Sequence, residues 1–160
     1  MTTDIKMRSL QRALVVIGVT LMVLSTFLPW LSASLVSVSL SDIYRQIASK
    51  EGLEGISSVF KEFERYPGIS SAIFLSILFH SLAVLFGVAA ILAINERIAL
   101  LSGFFSLASG GLWIFAVEAI KVKLSADMLG ALIAQMLGIG LGCILVVVAG
   151  VLILLSVLIV

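Results

Sequence analysis

Four stretches of this chain are each too long and too apolar for a helix in water. They run from Leu10 to Leu28, Ile69 to Ile94, Ile98 to Ile120 and Met128 to Val160. A helix crossing a bilayer needs about 20 apolar residues at 1.5 Å each, and every stretch meets that length. Overall, 61% of residues are hydrophobic and 12% charged, where a soluble domain carries roughly twice that charge. Lipid must therefore cover much of the surface. The expected fold class is an all-α membrane protein, one four-transmembrane-helix bundle over residues 1–160.

Lys6 and Arg8 precede the first span and Arg12 stands in its first turn, a basic flank like that of a signal peptide. The apolar run is longer than a signal core, however, and Phe27-Leu28-Pro29-Trp30 is a poor cleavage site, so the segment is read as a retained anchor. Four spans put both termini on one side. The basic flank of the first span points to the cytoplasm of a multi-pass cell-membrane protein. A raw count of Lys and Arg favours the reverse, but four of those on the other side lie among acidic residues of the long connection. Asn95-Glu96-Arg97 makes a tight turn, which sets spans two and three antiparallel.

The connection from Ser32 to Gly68 reads as a small extracellular cap, an extended segment plus one or two short helices. Pro29 cannot donate to the Ser25 carbonyl, so the first helix ends there. Trp30 is expected as an anchor at the headgroup level. Val36, Val38 and Leu40 then alternate with Ser37 and Ser39, the period of a strand. Ser41-Asp42 offers a helix start, with Gly52 as its stop. Farther on, Ile56, Val59, Phe60 and Phe63 share one helical face. That face either packs on the helix ends and membrane surface or docks another protein.

Small residues suggest how the spans touch, because helices in lipid approach closely through Gly, Ala and Ser. Gly130, Ala134, Gly138 and Gly142 recur every four residues in span four, and Ser102, Ser106 and Gly110 do so in span three. Span two carries Ser76, His80, Ala83, Gly87 and Ala90 at alternating steps of four and three. Spans three and four exceed the bilayer thickness, so they are expected either to project beyond it, with Glu118 and Gln135 near the outer interface, or to tilt within it.

Little in the sequence can do chemistry. His80 is the only histidine, near mid-membrane, either a polar site on a transport route or a neutral imidazole bonded to Ser76, Ser81 or a span-three serine. Glu118 and Lys121, three apart, can pair on one helix face. Cys143 is the only cysteine, so neither an intrachain disulfide nor a thiolate cage can form. With a net charge of +1 there is no basic field for nucleic acid. No catalytic, cofactor or metal site is expected.

Span one ending in Leu28-Pro29-Trp30 before a serine-rich extended segment resembles claudin-like tetraspan proteins. So do a short helix, Val59 to Tyr66, before span two, a long third span, and Gly138, Gly140, Gly142 and Gly150 in the fourth. The pattern is also similar to small prokaryotic four-span proteins with Pro-Trp after span one. The resemblance implies a left-handed four-helix bundle with a partly extended cap. Claudins place Gly-Leu-Trp and two cysteines in the first extracellular segment, whereas residues 31–68 here have neither cysteine nor tryptophan. Barrier or paracellular-channel activity therefore does not carry over. The expectation is a non-enzymatic membrane scaffold, interaction or accessory protein. Its partners would be the bilayer and either a membrane protein or further copies of itself. The alternative is a small transporter or oligomeric channel with His80 lining the route.

Overall fold

The computed structural model describes residues 2–33, 36–49, 67–93, 95–126 and 128–158. In chain order these form α1 (Thr2–Phe27), β1 (Pro29–Ala33), β2 (Val36–Ser39), α2 (Leu40–Ser49), α3 (Pro67–Ala93), α4 (Glu96–Leu124), α5 (Met128–Met136), β3 (Gly138–Ile139) and α6 (Leu141–Leu158). The chain is mostly helical. Four helical stretches, Ser9–Phe27, Gly68–Ala93, Glu96–Leu124 and Leu141–Leu158, are long and apolar enough to cross a membrane. The helix expected at Val59 to Tyr66 lies outside the described residues.

Local chemistry fixes the helix ends. Pro29 closes α1, and Pro67 opens α3 at a position where its missing N–H costs nothing. Asn95 caps α4, its side-chain oxygen accepting from the N–H groups of Arg97 (3.0 Å) and Ile98 (3.4 Å). The α4 helix continues past Glu118 to Leu124, where the Ser125 N–H donates to the Lys121 carbonyl at 3.0 Å. The spans pack as a ring, α3 on α4, α4 on α6 and α6 on α1; α1 meets α3 only lightly.

The interior inverts the usual soluble pattern. Large side chains such as Leu85, Phe104 and Leu92 face outward, while serines fill the contacts between helices. Each of those serines is satisfied by a neighbour's backbone: Ser102 donates to the Ala83 carbonyl (2.8 Å) and Ser106 to that of Val146 (2.6 Å). Ser76 and Ser109 reciprocate across α3 and α4, each hydroxyl donating to the other's carbonyl at 2.8 Å. Small polar groups let backbones approach and leave nothing unpaired in a medium without water.

The fourth span departs from expectation. A single helix from Met128 to Val160 is not formed: the chain is helical to Met136, extends through Gly138 and Ile139, and restarts at Leu141. The extended pair forms β3, which with β1 and β2 makes a three-stranded antiparallel sheet of order β2-β1-β3. Leu31 pairs with Ile139 and Ser32 with Gly138. Here strand pairing outweighs the helical preference of an apolar run whose glycines at 138, 140 and 142 are weak helix formers.

On the other side of β1, Leu31 pairs with Val38 and Ser32 with Ser37, with an irregularity between Pro29 and Leu31. The strand expected over Val36 to Leu40 ends at Ser39, because Ser39 is the N-cap of α2. Its hydroxyl accepts from the Asp42 N–H (3.2 Å), and the Asp42 carboxylate accepts from the Ser39 N–H (3.0 Å). This reciprocal capping box starts the helix at Leu40, one residue before the expected Ser41-Asp42.

Candidate functional site

The most constrained cluster of polar and aromatic groups lies where α1 gives way to β1. Pro29 deprives the Ser25 carbonyl of its ordinary helical donor, four residues on. The Trp30 indole Nε1–H takes that place, donating to the Ser25 oxygen at 2.7 Å. The irregularity in β1 falls at Trp30, and such irregularities re-aim a side chain. Trp30 is 0% exposed, so it is not the headgroup anchor that a tryptophan at a helix end suggests. Burying the ring requires a partner for its N–H, and the orphaned carbonyl supplies one.

Around Trp30 the other elements close. The His80 ring on α3 meets it edge-on at 5.2 Å between centroids, and Trp113 on α4 does so at 5.4 Å. The Trp113 indole donates to the Trp30 carbonyl at 2.9 Å, and the Gly140 N–H donates to the same oxygen at 2.9 Å. Gly142 lies against the indole: a Cβ there would sit 2.7 Å from Trp30 Nε1 and 2.8 Å from the Leu28 carbonyl oxygen. One residue thus ties α1, α3, α4, the Gly140 link after β3 and the start of α6.

His80 is 1% exposed. Its Nε2 lies 3.0 Å from Thr26 Oγ1 on α1, and its Nδ1 has no partner. The partner is therefore a threonine rather than one of the serines expected. Thr26 Oγ1 also lies 3.4 Å from the Met22 carbonyl. With the proton placed on Nε2, that N–H donates to Thr26 and the Thr26 hydroxyl is left to donate toward Met22. The unsatisfied atom is then a bare acceptor, which interiors tolerate better than a stranded N–H. On the next residue, Ser81 meets the Tyr44 hydroxyl of α2 at 2.8 Å. Burial pushes the Tyr44 phenol above its ordinary value, and the Ser81 hydrogen bond opposes the shift.

The other expected positions sort by element. Ser102, Ser106, Gly110, Ala83 and Gly87 lie in helix contacts, Gly110 against Val146 and Gly87 against Val19 and the Ser102 hydroxyl. Gly130 and Ala134 are buried on α5, which packs on α4. The four-residue stripe does not continue through Gly138, which sits in β3 beside Ser32, and Gly142 receives Trp30 instead of a helix. Ile56, Val59, Phe60 and Phe63 lie outside the described residues. Glu118 and Lys121 pair at 2.7 Å, exposed, as their spacing predicts.

Three contributors escape a sequence reading. Gly18 faces Ile153 and the Ala149 carbonyl, Gly103 faces Leu154 and the Gly150 carbonyl, and Trp113 completes the aromatic group. Gly103 stands beside Ser102, out of step with the stripe that drew attention there. No family model, curated protein or solved structure matches this chain.

Proposed function

We propose that the chain is a non-enzymatic integral membrane scaffold or accessory subunit that binds another membrane protein through α5. The observation carrying this reading is the outer face of that helix. Gly130 and Ala134 are buried, while Met128 (86% exposed), Leu129 (71%), Leu132, Ile133 and Met136 stand outward. Single exposed apolar residues need no explanation, but five on one short helix form a patch that favours a partner. Gln135 is exposed on the same helix and gives the patch a polar edge.

In this reading the membrane is the cell membrane and the termini are cytoplasmic. The segment between spans one and two, with α5, forms a cap on the opposite side. The likeness to claudin-like tetraspans enters as architecture only. The test is a photo-crosslinking side chain placed at Leu132 in intact membranes, with Leu155 on α6 as the lipid-facing control. A discrete heteromeric adduct at Leu132, absent at Leu155 and abolished by Leu129→Ser, supports the proposal. Adducts to lipid alone, or back onto residues 50–66 of the same chain, overturn it.

A second reading, a small transporter or oligomeric channel, has one observation in its favour, the unpartnered Nδ1 of buried His80. Proton flux in liposomes that His80→Phe abolishes, with helix content unchanged, would establish that reading over the first.

A further inference from the structure

We infer that the cleft between α1 and the α3–α4 turn is a binding site for a phospholipid with a primary ammonium headgroup. The site is a cavity of about 410 Å³ at the end of the bundle remote from Trp30, within the range of small-ligand sites. It exists because α1 packs lightly on α3 there, and because Ala90 and Ala99 on the facing helices are too small to fill the gap.

The lining is graded along the helix axes. On α1, Gln11 and Arg12 come first, with Val15 and Val16 one turn deeper. On the opposite wall Asn95 and Glu96 are at the turn, with Ala90, Ile91 and Ala99 deeper. Both walls change from polar to apolar in the same direction, away from the chain termini and into the span. A purely polar solute would leave the deep half unmatched, and a plain hydrocarbon would leave the mouth unmatched. An amphiphile matches both.

The mouth also selects a headgroup. Arg12 and Glu96 are exposed and, among the described residues, form no ion pair. Arginine presents a planar fork of donors suited to phosphate, and a carboxylate accepts from an ammonium N–H. Asn95 commits its oxygen to the α4 cap, which leaves its NH₂ as a second donor toward phosphate. A headgroup carrying phosphate and primary ammonium satisfies both signs. A quaternary ammonium offers Glu96 no hydrogen, and a glycerol headgroup offers it no positive charge.

The experiment is native mass spectrometry of the purified chain released from nanodiscs of equimolar phosphatidylethanolamine, phosphatidylcholine and phosphatidylglycerol. A parallel titration uses free phosphoethanolamine. The expected result is retention of phosphatidylethanolamine at least about fivefold over the other two lipids, with no adduct from phosphoethanolamine. Glu96→Gln should abolish the preference for the primary amine, and Arg12→Gln should lower retention of all three lipids. Val16→Trp, at an exposed lining position, should fill the cleft and remove bound lipid while circular dichroism stays unchanged. Equal retention of the three lipids by the parent, equal retention by the parent and a folded Val16→Trp variant, or tight binding of free phosphoethanolamine would each overturn the site.

Discussion

Trp30 can be tested through the atoms it satisfies rather than through its size. Replacing it with Phe keeps an aromatic ring but removes the donor to the Ser25 carbonyl, and a buried acceptor left unpaired costs about 1–3 kcal/mol. Pro29→Ala restores a backbone N–H four residues from Ser25, so the Phe substitution should cost less in that background. Unfolding titrations in mixed micelles, followed by far-ultraviolet circular dichroism, measure this cycle. Two equal costs would mean the indole bond is not what Pro29 makes necessary. Glycines give a sharper contrast. Gly142→Ala puts a methyl into the Trp30 indole, whereas a Cβ at Gly111 meets nothing within 4 Å. Overpacking costs about 1–3 kcal/mol, and an Ala for Gly in an open helical position gains about 0.5–1 kcal/mol, so the two variants should move stability in opposite directions. Pro29-Trp30 was legible as a helix end, because proline chemistry is local. The burial of Trp30 was not, because its partners lie at residues 80, 113 and 140–142.

Among the elements, α2 starts at a cap that one carboxylate holds. The Ser39 hydroxyl donates to Asp42 at 2.6 Å, and the Ser39 N–H adds a second bond. The side-chain bond first, then the backbone bond, hold the Asp42 carboxyl below its ordinary value, with a smaller contribution from Arg45. A lowered folded pKa means the stabilisation is full above the ordinary value of 3.8 and is lost as pH falls through the folded one. Amide exchange in the first turn of α2 should therefore quicken, relative to the intrinsic rate, only in acid below that range. Asp42→Asn should quicken it at neutral pH and flatten the pH dependence; an acid response that survives in Asp42→Asn would assign it elsewhere. The spans were legible because hydropathy adds up residue by residue. The break at Leu137 to Gly140 was not, since the spacing of Gly130, Ala134, Gly138 and Gly142 fits a helix. The competing signal was the run of glycines at 138, 140 and 142, a period of two. What decided between the periods was a partner strand more than 100 residues earlier.

For the molecule as a whole, helix lengths set how it sits. At 1.5 Å per residue, Ser9–Phe27 and α6 each reach about 27–29 Å, close to the hydrocarbon thickness, while α3 and α4 reach about 40–44 Å. Asn95 and Arg12 line one cleft, so the α3–α4 turn is level with the start of the first span. The surplus of α3 and α4 therefore lies entirely at the Trp30 end, where α5 and the sheet are attached. The fourth stretch, expected as one long helix, divides its length between α6 and a separate α5. Ser125, exposed at the tip of α4, and Ala93, exposed before the α3–α4 turn, stand at opposite ends of α4, the positions that a membrane crossed by this helix would separate. Cys143 is fully buried against the Gly110 carbonyl, so an impermeant maleimide should leave the parent chain unmodified. With cytoplasmic termini, Ser125→Cys should label in intact cells and Ala93→Cys only after permeabilisation. The reverse pattern would invert the chain and place the Arg12–Glu96 cleft in the outer leaflet. Labelling of both variants in intact cells would contradict the four-span arrangement itself.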